Sequence, residues 1–95
     1  MRDYEVAFIA HPEMDETSFA ALIEKVQGWI SAAGGQVVNV DIWGRRRLAY
    51  PIRKQREGQY VFIQTKLAPG ATVEIERNLR LTEQVMRFMV VRTDE

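Results

Sequence analysis

The chemistry that this sequence offers is concentrated in one basic segment. Six of the 13 lysine and arginine residues lie between Arg45 and Arg56, and no acidic residue interrupts them. The chain as a whole is neutral, because it also carries 13 acidic residues. Guanidinium and ammonium groups gathered in this way bind phosphates, as in contacts with a nucleic-acid backbone. The segment therefore predicts a local phosphate-contacting edge, whereas the neutral balance argues against a nucleic-acid binder that is basic over its whole surface.

Residue types that support catalysis or metal binding are scarce elsewhere. The chain contains no cysteine and one histidine, His11, which excludes disulfides, thiolate chemistry and a histidine-based zinc site. His11 has neither an orienting acid nor a nucleophile near it in the sequence, so we expect a loop histidine without chemistry. Carboxylates at metal-ligand spacing are also missing. We therefore expect no enzyme, no catalytic residue, no metal site and no cofactor.

Targeting and membrane-spanning segments are not evident in the sequence. No apolar run approaches the roughly 20 residues that span a bilayer. The segment from Met1 to Glu5 carries charges where a signal peptide needs apolar residues. We expect a soluble intracellular protein in which residues 1–95 form a single domain.

Hydrophobic periodicity predicts two helices and four strands that position the basic segment. The first helix is the clearest element, with Asp15 as its N-cap, an apolar stripe at helical spacing, and Gly34 and Gly35 as its end. The predicted elements are a strand at 4–10, that helix, an extended segment at 36–52, a polar turn at 53–58, a strand at 59–67, a helix at about 70–80 with Thr72 or Val73, Ile75 and Leu79 facing inward, and a strand at 85–92, followed by an acidic end at 93–95. This order predicts an α+β ferredoxin-like βαββαβ sandwich, with a four-stranded antiparallel sheet and two helices on one face.

Strand alternation divides the apolar residues between two faces of the predicted sheet. We expect the bulkier set under the helices, namely Val6, Phe8, Tyr60, Phe62, Phe88 and Val90. The open face then receives Ala7 and the five candidate partner-binding residues Ile9, Val61, Ile63, Met89 and Val91. Such an apolar face without a cover predicts a protein partner, although valine and isoleucine also occur at solvent-side strand positions for their β-propensity.

The same order of elements occurs in RNA-recognition domains, which stack bases on aromatic residues of the open sheet face. The expected parity places the aromatic residues Phe8, Tyr60 and Phe62 on the buried side. Base stacking on the sheet is therefore disfavoured. We expect any RNA contact to come from arginines at the edge, which would bind phosphates.

Three stretches of the chain resemble bacterial small-subunit ribosomal protein six. The matching residues are Met1-Arg2-Asp3-Tyr4-Glu5, Gly44 with Arg46-Arg47-Leu48-Ala49-Tyr50-Pro51-Ile52, Lys54 and Gly58, and Arg87 with Met89-Val90-Val91. The Arg-Arg-Leu-Ala-Tyr-Pro-Ile string is the most specific of them. The similarity extends over essentially the whole chain with the order of elements intact.

The resemblance implies a structural protein of the small ribosomal subunit, located in the cytoplasm, without catalytic activity or cofactor. Members of that family bind small-subunit ribosomal RNA together with small-subunit ribosomal protein eighteen, as a heterodimer that assembles onto the central domain. The basic residues that match the family pattern are Arg2, Arg46, Arg47, Lys54, Arg87 and Arg92. Arg45, Arg53 and Arg56 lie outside that pattern and could extend the RNA contact or be solvated. Arg45 is included among the candidate RNA-binding residues.

A second interpretation comes from a different class of protein. A small dimeric α+β enzyme or ligand-binding domain could pair with itself through the open sheet face, whereas the ribosomal interpretation involves no membrane and no small-molecule substrate. The charge map favours the ribosomal interpretation, because self-pairing does not require an uninterrupted basic edge.

Overall fold

The computed structural model describes residues 1–94. In this part of the chain four strands form one sheet, and two helices pack against it. The elements are β1 (Arg2–Ala10), α1 (Glu16–Ala32), β2 (Gln36–Ile52), β3 (Gln55–Leu67), a 3₁₀ turn (Pro69–Ala71), α2 (Thr72–Arg80) and β4 (Val85–Arg92). The sheet order is β2-β3-β1-β4, and every neighbouring pair is antiparallel. The predicted ferredoxin-like sandwich is confirmed. Of the predicted acidic end, Glu95 lies outside the described residues.

The core lies between one face of the sheet and the two helices. Helix α1 contributes Leu22, Ile23, Val26 and Ile30, and α2 contributes Ile75 and Leu79. They pack with strand residues that include Val6 and Phe8. Of the two alternatives at the start of α2, Thr72 is half-buried, whereas Val73 is 67% exposed.

Helix α1 begins and ends at the predicted residues. The carboxylate of Asp15 accepts a hydrogen bond from the backbone N–H of Ser18 at 2.7 Å, which satisfies one of the free donors of the first turn. Gly34 follows the helix with φ of +80°, the left-handed conformation that glycine adopts without steric cost.

The N-cap of α1 gives a pH-dependent prediction. The backbone hydrogen bond from Ser18 lowers the pKa of Asp15. A carboxyl group with a lower pKa in the folded chain stabilises the fold above its unfolded pKa, and that stability is lost as the pH falls through the folded pKa. Asp15→Ala should therefore lower the urea midpoint at pH 7, and its difference from wild type should shrink below about pH 4. Asp15→Asn keeps an acceptor oxygen, so it should lower the urea midpoint less than Asp15→Ala does. Equal midpoints for Asp15→Ala and wild type at pH 7 would contradict the assignment of the cap.

The hairpin between β2 and β3 is longer than the sequence predicts. Residues 55–58 belong to β3, and the turn consists of Arg53 and Lys54 alone, between the paired residues Ile52 and Gln55. Both turn residues have positive φ, 50° and 65°, as a two-residue type I′ turn requires. The predicted six-residue polar turn was wrong, because the end of the hairpin is largely exposed and its strands need no apolar alternation.

The face assignment for β3 was wrong, whereas those for β1 and β4 hold. Val61 lies opposite Phe8, and Ile63 lies opposite Val6. Directly opposed residues share a face, and both Val61 and Ile63 are 0% exposed in the core. These two candidate partner residues are therefore not on the open face, which instead carries Tyr60 and Phe62. Side-chain size suggested the wrong parity, because the register with β1 decides which β3 residues face the helices.

Candidate nucleic-acid and protein interface

The end of the β2–β3 hairpin forms an arm, residues 44–58, which we call the basic arm. Gly44, at φ of +75°, marks its start, where the pairing of β2 with β3 shifts register. Leu48 anchors the arm and is only 8% exposed. Gly58 lies close against β1, because a Cβ at that position would collide with the side chain of Ile9. The arm is thus a packed part of the fold rather than a free loop.

The arm presents its cations to two surfaces. Arg45, Arg47, Lys54 and Arg56 line an open cleft of about 440 Å³ next to the loop that joins β1 to α1. That cleft also contains two carboxylates, Glu13 and Glu57. Arg46 lies instead with its guanidinium 5.7 Å from the centre of the Trp43 ring. Arg46, Arg47, Lys54 and Arg56 are all exposed, so their charges are accessible to an anionic partner.

Two arginines of the arm are bound to the protein itself. Arg45 donates from Nη2 to the carbonyl oxygen of Pro12 at 2.5 Å, and its Nη1 lies 3.8 Å from Glu57 Oε1. Arg53 donates to the carbonyl oxygens of Glu83 at 2.8 Å and Val85 at 3.2 Å. These contacts distinguish Arg45 from the neighbouring candidates Arg46 and Arg47.

The remaining basic candidates lie at two different ends of the sheet. Arg87 is opposite Ile9 and donates a hydrogen bond to the hydroxyl of Tyr50 on the arm. Arg2 is opposite Leu67, seven residues along β1 from Ile9 and so roughly 23 Å away. Arg92 lies near Arg2, where its Nε donates to Asp94 Oδ1 at 2.7 Å and this carboxylate raises the pKa of the arginine. The fold therefore groups Arg87 with the basic arm and leaves Arg2 and Arg92 apart.

The open face of the sheet carries an aromatic cluster that we call the Trp43 cluster, made of Trp43, Tyr60 and Phe62. The ring centres of Trp43 and Phe62 are 4.6 Å apart, and Tyr60 is 6.5 Å from each. A shallow apolar pocket of about 150 Å³ lies beside the cluster. Its lining includes Ala7, Ile9, Tyr60, Phe62, Arg87 and Met89. The structure therefore removes the ground on which base stacking on the sheet was disfavoured, since aromatic residues do lie on this face.

Exposure shows that this face is apolar and uncovered within the described chain. Trp43 is 49% exposed, Met89 54% and Val91 40%. The candidates Ile9, Met89 and Val91 lie here, as predicted. At one end the face is bounded by a polar pair, in which Gln64 donates to Glu5 at 2.7 Å. At the other end it meets Arg87 and the basic arm.

His11 has a local structural contact. Its Nδ1 accepts a hydrogen bond from the backbone N–H of Glu13 at 3.2 Å, and its own backbone N–H donates to Gln84 at 2.8 Å. Residues 1–94 contain no group of three or more histidine, cysteine or acidic side chains suited to a metal ion. No helix in the same range is long and apolar enough to cross a membrane.

The matches of this chain among known proteins are ribosomal proteins. Residues 3–92 match the family described as ribosomal protein S6. Small ribosomal subunit protein bS6 of Clostridium novyi is 52% identical over 95 residues, the whole of both chains. The protein of that name from Mycobacterium tuberculosis is 46% identical over 95 residues, which are 100% of this chain and 99% of the relative.

A solved structure agrees with these sequence matches. The crystal structure of 30S ribosomal protein S6 from Thermotoga maritima superposes with a TM-score of 0.93 at 31% identity, over 97% of this chain and 87% of that one. The fold and these matches define a non-enzymatic structural protein of the small subunit of the cytoplasmic ribosome. The chain belongs to the ribosomal protein S6 family. The alternative of a small dimeric enzyme does not hold for this family.

Proposed function

We propose that this ribosomal protein binds small-subunit ribosomal RNA together with small-subunit ribosomal protein eighteen. The exposed cations of the basic arm contact RNA phosphates, and the open sheet face binds the partner protein. Residues 1–95 act in this role as one domain. The observation that carries the proposal is the junction of the two surfaces at one end of the sheet.

The junction is made by two pairs of residues. The guanidinium of Arg46 lies over Trp43 of the open face. Arg87 lines the apolar pocket of the open face. Its guanidinium lies 5.8 Å from the ring centre of Tyr50 on the arm. A protein seated on the open face would therefore adjoin an RNA strand that follows the arm. The two partners can then contact each other as well as this chain.

The character of each surface supports its partner. Exposed arginines and a lysine offer charge-assisted hydrogen bonds to phosphates. The open face offers Trp43, Tyr60, Phe62 and Met89, and aromatic residues and methionine are enriched at protein interfaces. The revised partner-face residues are thus Ile9, Trp43, Tyr60, Phe62, Met89 and Val91.

Joint binding gives a direct test. We expect an RNA fragment from the central domain of the small-subunit ribosomal RNA to bind this chain and protein eighteen together at least about tenfold more tightly than either alone, because each component completes the other's surface. Titration of labelled RNA with each protein and with the equimolar mixture measures this. The control is an RNA of equal length from another domain. Affinity for the mixture no greater than for the better single protein would contradict joint binding.

A further inference from the structure

Arg53 makes contacts that RNA binding does not explain. It lies at the turn of the basic arm, next to the paired residue Ile52. Its two terminal nitrogens donate to the carbonyl oxygens of Glu83 and Val85 at 2.8 and 3.2 Å. Those carbonyls belong to the connection between α2 and the start of β4, about 30 residues further along the chain. The contact therefore joins the tip of the arm to the start of β4, the strand at the opposite edge of the sheet.

The backbone of the turn has an unfavourable conformation that contacts such as this one must hold in place. Arg53 and Lys54 have φ of 50° and 65°, a region that residues other than glycine rarely occupy. Such a conformation persists when surrounding contacts hold it. The bidentate hydrogen bond of Arg53 is one such contact, because it fixes the tip in position against β4.

The base of the arm is held in a similar way. Arg45 donates to the carbonyl oxygen of Pro12. Gln59, just beyond the arm, donates from Nε2 to the carbonyl oxygens of His11 and Met14 at 3.1 and 3.2 Å. Side chains of the hairpin thus bind backbone carbonyls of both loops that lie at this end of the sheet.

We propose that Arg53 is a positioning residue that clasps the tip of the basic arm to the connection between α2 and β4. The clasp presents Arg46, Arg47, Lys54 and Arg56 to the RNA backbone in one fixed arrangement. This role rests on the proposed RNA binding of the arm. Arg53 acts on affinity by reducing the cost of ordering the arm, and its guanidinium fork is already occupied by the two carbonyls.

Two measurements on Arg53→Ala test the clasp. In the free protein, amide hydrogen exchange of residues 46–49 and 56–58 should become faster, because the arm opens more often. RNA affinity in the presence of protein eighteen should fall by roughly three- to tenfold, while the slope of log affinity against log salt stays at the wild-type value. Arg53→Lys should resemble Arg53→Ala, since one ammonium group cannot reproduce the fork.

Arg56→Ala is the matched control, because it removes an exposed cation from the same arm. It should leave amide exchange in the free protein unchanged. The slope of log affinity against log salt should become shallower by about one, because one counterion fewer is released on binding. The clasp is overturned if Arg53→Ala leaves exchange unchanged, if it leaves affinity unchanged while other substitutions in the arm lower it, or if its salt slope falls as that of Arg56→Ala does. If no substitution in the arm affects RNA binding, the proposed function fails, whereas the exchange measurement still shows whether Arg53 holds the arm.

Discussion

Phe62→Glu is expected to leave the protein folded and to abolish its capture of protein eighteen, whereas Ile63→Glu is expected to unfold it. Ile63 is 0% exposed and lies opposite Val6 beneath the helices. An unpaired carboxylate there costs several kcal/mol, which is comparable with the whole stability of a small domain, about 5 kcal/mol or more. The parity expected from side-chain size predicts the reverse pair of outcomes.

Phe62 differs because it is only partly buried on the open face. Its replacement loses contact with the ring of Trp43, which should cost about 1–2 kcal/mol and leave the domain folded. In the heterodimer, the same carboxylate would be desolvated without a partner, and affinity should fall by at least roughly a hundredfold.

Urea unfolding and co-elution with protein eighteen measure the two effects. Val73→Glu is the control, since Val73 is 67% exposed on α2, away from the open face, and should retain both stability and binding. If Phe62→Glu folds and still captures protein eighteen, the open face is not its binding surface. If wild type forms dimers that Phe62→Glu disrupts, the occupant of the face is a second copy of this chain.

Arg46→Ala/Arg47→Ala is expected to weaken RNA binding by roughly ten- to a hundredfold, the loss of two charge-assisted contacts. The salt slope should become shallower by about two ions, because fewer counterions are released. Stability should change little, since both side chains are exposed. Lysine at both positions should restore the slope but only part of the affinity if the guanidinium fork is used.

A matched variant removes two positive charges elsewhere. Lys25 and Arg77 are exposed on α1 and α2, so Lys25→Ala/Arg77→Ala changes net charge equally without touching the arm. It should leave affinity and salt slope near the wild-type values. If both double variants lose affinity equally, the effect of Arg46 and Arg47 reflects overall charge rather than contact by the arm.

The elements could be predicted from the sequence where local signals agree. Asp15, the apolar stripe and Gly34 define α1 independently of the rest of the fold, and the bounds of β4 also agree with the structure. The order of the elements then leaves few topologies, and the sheet order follows. The family resemblance supplied the ribosomal role, which composition alone does not indicate.

The side of the sheet that each β3 residue faces could have been predicted from the polar residues of the strand. Gln64 and Lys66 alternate with Ile63, Thr65 and Leu67, and polar residues on one parity mark the solvent side. Residues 60 and 62 lie on the same side of the strand as Gln64 and Lys66, which places Tyr60 and Phe62 on the open face. Side-chain size was a weaker guide, because β-branched residues fill a core as well as aromatic ones do.

The different contacts of the individual arginines could not be predicted from the sequence. Arg53 and Arg45 bind carbonyls of residues about 30 positions away, and these distances close only when the hairpin packs against the loops. Charge counting treats Arg45, Arg46 and Arg47 as equivalent. The fold makes them different by directing one to Pro12 and another to Trp43.

Amide hydrogen exchange of the chain alone, with protein eighteen, and with protein eighteen and RNA tests joint binding most directly. Protein eighteen should protect β3 around Phe62 and β4 around Met89, and added RNA should then protect the basic arm between Arg46 and Arg56. The outer faces of α1 and α2 should remain unchanged in both complexes. Protection confined to the helices, with no change on the open face or the arm, would contradict the account.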